Sequence, residues 1–296
     1  MRRIALRAIR KILRKLDGLL DPAEQVSAVG GGSNGRERSI RAFLNRLQLG
    51  DPGADAYLKE HQERIVRTLS LLPVGSPESR ALELGSYLHM AAALNRVLDY
   101  RCVRAAYYSP AIGREVKSLA IAGEPSYTTD IDLFDVELHT YPYEDCSFHL
   151  VLCCEIIEHL LHDPMHMLLE CRRVLCDNGL LALTTPNAAS LTSVAAALRG
   201  EKNPQVFGRY PAPGNNDIPH VREYTPSEIA HAVRAAGFSI ELLITERSGA
   251  EHATWVRDIL SANGFDGSLR GEQIYCLARK STAAAIDRYP EFLYSR

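Results

Sequence analysis

Apolar positions along this chain change period several times, and the changes mark its elements. Two unbroken apolar runs, Leu150 to Cys154 and Leu180 to Thr184, have strand length and are apolar throughout, as parallel strands buried on both faces are. Between them Met165, Leu168, Leu169, Val174 and Leu175 recur at roughly helical spacing behind Asp163-Pro164, which predicts an N-cap and first turn. Asp177-Asn178-Gly179 then ends that helix. Strand, helix and strand in this length form one βαβ unit, and its right-handed crossover makes the two strands parallel neighbours. The chain is therefore α/β.

The same reading predicts strands at Arg80 to Leu84, Cys102 to Tyr107 and Thr128 to Phe134, with a helix from Leu88 to Leu98 after the first. Phe238 to Thr245 and Gln273 to Ala278 are the last two strands. Thr225-Pro226-Ser227-Glu228 has the wording of a capped helix start. Ahead of the first strand lie two helical stretches, 36–48 and 54–72, closed by the turn-rich Pro73 to Pro77. The organisation that follows is a basic helix with a glycine-rich linker over 1–35, a helical annex over 36–75, and an α/β domain over 76–296. A Pro, Gly and Asn-rich insertion at about 200–223 has the make-up of a lid or substrate loop.

Charge changes this picture only at the N-terminus. The whole chain has net charge −2, but residues 1–16 carry seven Arg or Lys and no acid, leaving −9 on the rest. Ile4, Ile9, Ile12, Leu13, Leu16, Leu19 and Leu20 form one face of a helix whose other face is basic. Three readings stand: an interfacial membrane helix, a helix packed on a core with a solvated basic face, and an organellar targeting peptide. No run is apolar enough to span a bilayer, and seven scattered cysteines without repeated spacing suggest free thiols in a reducing compartment. A cytoplasmic protein, peripheral at a membrane if the helix docks there, is the expectation.

In open α/β sheets ligands bind beyond the carboxyl ends of the strands. Those ends read Leu82-Glu83-Leu84-Gly85-Ser86-Tyr87, Tyr107-Tyr108-Ser109, Asp135-Val136-Glu137 and Cys153-Cys154-Glu155. With Pro142-Tyr143-Glu144-Asp145, Glu155-Ile156-Ile157-Glu158-His159 and Thr185-Pro186-Asn187, the chain resembles class I S-adenosylmethionine-dependent methyltransferases of the broad type-11 kind. Over residues 80–293 it is similar to a bacterial branch with a tyrosine-bearing motif and an altered first loop. The resemblance implies a Rossmann-like seven-stranded sheet, mostly parallel with an antiparallel last strand, and S-adenosylmethionine as cofactor. It assigns cofactor contacts to Glu83, Gly85, Ser86, Tyr87, Tyr107, Tyr108, Asp135, Val136, Cys154 and Glu155. Two family glycines are replaced by Tyr87 and His89, and tyrosines stand where an acid usually takes the ribose hydroxyls.

On a helical turn Glu155, Glu158 and His159 share one face, and His220 resembles a later histidine that accompanies this motif in RNA 3′-end enzymes. Such a set can hold a divalent ion, or the glutamates can cap a helix, in which case no metal ligand is assigned. His159 and His220 are the candidate general bases, since imidazole titrates near neutral pH. Tyr210, Arg222 and Tyr224 join His220 as substrate-side candidates. The expected activity is O-methylation of a small molecule or a glycan or lipid-linked sugar. Its alternatives are a catalytically silent scaffold with a filled cofactor cleft and a metal-dependent RNA 2′-O-methyltransferase. The −9 over the body of the chain speaks against a nucleic-acid partner.

Overall fold

The structure, a computed structural model, describes residues 33–50, 52–201, 220–246, 253–265, 267–282 and 285–294. The basic helix predicted within 1–20, and Tyr210, lie outside them. In chain order the elements are α1 (Ser33–Leu44), β1 (Leu47–Gln48), α2 (Pro52–Leu71), β2 (Arg80–Leu84), α3 (His89–Arg96), β3 (Cys102–Tyr107), β4 (Gly113–Ile121), β5 (Glu124–Leu133) and β6 (Phe148–Cys154). A short 3-10 turn, Ile157–His159, precedes α4 (Pro164–Val174), β7 (Leu175–Pro186), α5 (Leu191–Leu198), α6 (Pro226–Ala235), β8 (Phe238–Glu246), α7 (Thr254–Ala262) and β9 (Gln273–Lys280).

One sheet runs β1-β4-β5-β3-β2-β6-β7-β9-β8. Its centre, β5-β3-β2-β6-β7, is parallel, and β9 runs antiparallel between β7 and β8. Chain order reverses between β2 and β6, so the strand ends Leu84 and Cys154 open on one crevice. The predicted cap of α4 is present: the Asp163 side chain accepts from the His166 amide and Pro164 opens the helix. Thr225 and Glu228 form a reciprocal capping box on α6.

The sheet has nine strands where seven were expected. The additions are β1 and β4, and β4 occupies the connection between the parallel strands β3 and β5, where a crossover helix is usual. It returns as a hairpin with β5 through Ala122-Gly123, where Gly123 takes φ +79°. A face that a crossover helix would have covered is covered instead by α1 and α2. Ile40, Phe43, Leu44, Ile65, Val66 and Leu69 share one buried cluster with Leu119, Ile121, Tyr127 and Ile131 of the hairpin. The N-terminal helices are thus built into the core, and α2 is carried across to the crevice.

Candidate functional site

The crevice begins at Gly85, whose φ of +65° turns the chain sharply off β2. A Cβ there would come within 3.2 Å of Ile156 Cδ1. Leu88 also takes a left-handed conformation, φ +69°, at the start of α3. Glu83 holds this strained loop from below. Its carboxylate accepts from Ser86 Oγ at 2.7 Å and from the Ala91 amide at 2.8 Å, and Ser86 Oγ accepts from the Leu88 amide at 3.0 Å. Glu83 is buried, and burial pushes its carboxyl up to about 7 despite those two bonds.

Tyr87 and His89, which replace glycines, face the crevice differently. Tyr87 is 43% exposed and packs against Tyr57 and Tyr107, with ring centroids at 5.3 and 5.8 Å. His89 is buried, and its Nδ1 has no hydrogen-bond partner among the described residues. Burial first, then the nearby Arg64 cation, pull its imidazole down to about 4, so it is neutral at pH 7. Tyr107 also lies under the Lys117 ammonium, 5.6 Å from the ring centroid. Tyr108 beside it is exposed. Asp135 and Val136 follow β5 and are half-buried, and Asp135 Oδ1 accepts from the Glu137 amide at 2.8 Å.

Helix α2 supplies residues that the sequence reading assigned to an annex. Tyr57, Arg64, Ile65 and Thr68 line the crevice with Glu83, Gly85, Tyr87, His89, Cys154 and Glu155. Arg64 pairs with Glu155 at 2.9 Å and donates to Tyr57 Oη at 2.7 Å. A signal was available in the spacing: Tyr57, His61, Arg64 and Thr68 recur at helical intervals and form one polar stripe.

Glu155 and Glu158 do not share a helical face as expected. Glu155 sits in the left-handed region at φ +54°, and the 3-10 turn begins only at Ile157, so the two carboxylates diverge. Glu155 turns into the crevice, where it accepts from Arg64, Thr184 Oγ1 at 2.7 Å and Gln273 Nε2 at 2.7 Å. Glu158 turns the other way and is fully buried. One oxygen accepts from Thr185 Oγ1 at 2.9 Å and Oε1 has no partner among the described residues. Burial and then the Glu155 charge push this carboxyl well above the usual range. Neither glutamate caps α4. That role falls to Asp163, while Glu137 accepts from the amides of Leu161, His162 and Asp163 in the preceding loop.

His159 and His220 do come together, with ring centroids 4.9 Å apart. The amides of Val221 and Arg222 donate to the Glu158 carbonyl at 2.7 and 3.2 Å, which ties the His220 segment to the turn. His220 Nδ1 lies 3.1 Å from Glu223 Oε1. Ligand atoms of Glu158, His159 and His220 all lie within 4.8 Å of one another, a spacing that a metal ion can bridge. Arg222 pairs with Glu228 and lies over the Tyr224 ring, which is buried.

The model of a methyltransferase-domain family matches residues 56–243, more than half of the chain. No curated protein matches the sequence. Among solved structures, a SAM-dependent methyltransferase from Archaeoglobus fulgidus is 14% identical, with a TM-score of 0.49 over 76% of this chain and 99% of that one. Another from Thermotoga maritima is 16% identical, with a TM-score of 0.48 over 82% and 99%. A third, from Mesorhizobium loti, is 15% identical, with a TM-score of 0.44 over 72% and 95%. Among the described residues no helix is long and apolar enough to cross a membrane.

The donor set of the crevice suits S-adenosylmethionine. Arg64 offers a guanidinium for its carboxylate, Glu155 a carboxylate for its cationic end, and Gly85 a backbone free of a side chain. Tyr87 and Tyr107 supply ring faces and hydroxyls further along, and Asp135 a carboxylate at the next strand end. Arg64 and Tyr57 narrow the crevice, whose cavity is about 30 Å³. Both side chains come from α2, outside the sheet. With its strand order and its family match, the chain belongs to the methyltransferase-domain family and is a class I S-adenosylmethionine-dependent methyltransferase.

Proposed function

We propose that this enzyme methylates a hydroxyl oxygen of a small molecule or of a glycan-type acceptor. The observation that carries this reading is the convergence of Glu158, His159 and His220 within 4.8 Å at the carboxyl end of β6, beside the crevice. S-adenosylmethionine supplies an activated methyl group on a sulfonium, and its departing thioether needs no proton. The protein's task is then alignment, plus removal of one proton from the acceptor. His220 is placed for the second part. With its Nδ1 proton directed at Glu223, Nε2 carries the basic lone pair, and the carboxylate stabilises the imidazolium that forms. Arg64, Glu155, Gly85, Tyr87 and Asp135 hold the cofactor, with Glu83 and Ser86 keeping the loop beneath it in shape.

A second reading is favoured by one atom, Glu158 Oε1, buried and without a hydrogen-bond partner among the described residues. A divalent cation held by Glu158, His159 and His220 would satisfy it and stabilise the ionised carboxylate. It would also lower the pKa of an acceptor hydroxyl. Calorimetry with S-adenosylhomocysteine tests the cofactor site. Release of S-adenosylhomocysteine from S-adenosylmethionine, measured with hydroxyl and amine acceptor panels, tests the atom methylated. Turnover on amines alone overturns the O-methyl reading. Loss of turnover in EDTA, restored by Mg²⁺ or Mn²⁺, selects the cation reading, and EDTA-insensitive turnover selects the histidine alone.

A further inference from the structure

At the opposite end of the sheet from the crevice, two cysteines meet at the surface. Cys146 is exposed, in the turn leading into β6, and takes a left-handed φ of +56°. Cys176 is half-buried near the start of β7. Its Sγ donates to the Cys146 carbonyl at 2.8 Å. The Cys146 amide donates to the Arg173 carbonyl at 3.1 Å, so both segments are held together by backbone as well as by sulfur. Arg80 Nη2 reaches the same Cys146 carbonyl at 3.4 Å and puts a cation beside the thiols.

Both cysteines stand in backbone that can adjust. The β6–β7 register jumps from Phe148↔Leu175 to Leu150↔Leu180, so residues 176–179 loop out of the ladder. Asn178 within that bulge has φ +61°. Of the other thiols, Cys153, Cys171 and Cys276 are buried and Cys154 is half-buried, with burial pushing the last three named up to about 12, while Cys102 is exposed on β3; burial also raises Cys176.

We propose that Cys146 and Cys176 form a reversible redox-modification site, a dithiol that a small-molecule disulfide of the glutathione kind converts to an internal disulfide. Exposed Cys146, as thiolate, attacks one sulfur of the oxidant and expels the first small thiolate. Cys176, having lost its proton, attacks the Cys146 sulfur of the mixed disulfide and expels the second. Two protein thiols lose two protons and two electrons, and one small disulfide becomes two thiols. The new bond closes a loop that contains all of β6, Glu155, Glu158, His159 and α4. The site lies about 20 Å from the catalytic turn, the length of β6. Its action there is on the stiffness of the unit rather than on the reacting groups.

The test uses the full chain equilibrated across a series of reduced and oxidised glutathione, quenched by alkylation, with intact and peptide masses read. Loss of two hydrogens with a peptide link between Cys146 and Cys176 is expected, reversed by reduced glutathione. Cys146→Ser is expected to stop at a glutathione adduct on Cys176. The oxidised protein is expected to melt higher than the reduced one, a shift that Cys176→Ser abolishes. Persistent glutathione adducts on the wild-type pair without an internal link, or a link through Cys102 instead, overturns the proposal. A link that leaves the melting temperature unchanged overturns its stiffening role.

Discussion

Glu155 and Glu158 leave the same strand three residues apart, and the fold has treated them oppositely. Glu155 is firmly held: Arg64, Thr184 and Gln273 all donate to it, and Arg64 is held in turn by Tyr57. Glu158 is more deeply buried yet has one hydrogen bond on its carboxylate and one oxygen with none. Three donors on about four acceptor sites fix the Glu155 carboxylate in place and leave room for one more contact, as suits a group that holds a ligand. A buried carboxyl oxygen without a partner costs stability unless something else binds it, which is the need that the cation reading would meet. On the proposed function, the glycine-loop side of the crevice grips the cofactor and the histidine side does the chemistry.

The sharpest way to break this division is to remove His220. His220→Ala is expected to lower kcat about 1,000-fold, the range of a lost general base, with S-adenosylhomocysteine affinity nearly unchanged. Steady-state kinetics beside calorimetry measures both. An unchanged kcat with weakened ligand binding would place His220 on the gripping side and dissolve the comparison.

Next in size is the loop support. The folded carboxyl of Glu83 titrates at about 7, above its unfolded value, so between about pH 4.5 and 7 the folded state holds more protons than the unfolded one. Its stabilising contribution is therefore complete below about pH 4.5 and is lost as pH rises through 7, at roughly 1.4 kcal/mol per unit or about 3 kcal/mol in all. Glu83→Gln keeps an acceptor for Ser86 Oγ and the Ala91 amide but cannot ionise. Urea unfolding is expected to show the variant gaining about 3 kcal/mol on wild type between about pH 4.5 and pH 8. A constant difference would mean the Glu83 carboxyl is not perturbed.

Arg64 follows. Removing it leaves Glu155 with neutral donors only, and Arg64→Leu is expected to cost about 2 kcal/mol of stability, less than a fully buried pair would. S-adenosylhomocysteine binding is expected to weaken in the same variant. If affinity instead rises, Arg64 is a plug and not an anchor.

Much of this fold was legible and less of the site. Strands β2, β3 and β6 and helix α4 were readable because they are apolar and have clear stop signals. Strand β4 was not: only Leu119 and Ile121 of its nine residues face the core, so Arg114, Glu115 and Lys117 obscure any alternation. The strand ends gave Glu83, Gly85 and Glu155 because topology fixes where ligands bind. The partnership of Arg64 with Glu155, 91 residues apart, was hidden because it depends on α2 replacing a crossover helix. The divergence of Glu155 from Glu158 was hidden for a local reason: a left-handed φ at a glutamate has no sequence signature.

The smallest expected effect isolates His89. Its folded pKa of about 4 lies below the unfolded value, so the folded state holds fewer protons over about pH 4 to 6.5 and loses stability as pH falls through that window. This runs against the Glu83 trend from a position on the same loop, and the two partly cancel in the wild type. His89→Phe keeps a flat ring of similar size, removes the unpartnered Nδ1 and ends the acid-side loss. It is expected to stabilise by about 1 kcal/mol at neutral pH, where both histidine states are neutral, and by more on acidification. With His89 replaced, the fall in stability from about pH 4.5 to 7 due to Glu83 is expected to steepen in urea titrations. A loss of stability at neutral pH would instead show that His89 Nδ1 has a ligand to hold, and would move His89 from the gripping side to the working side.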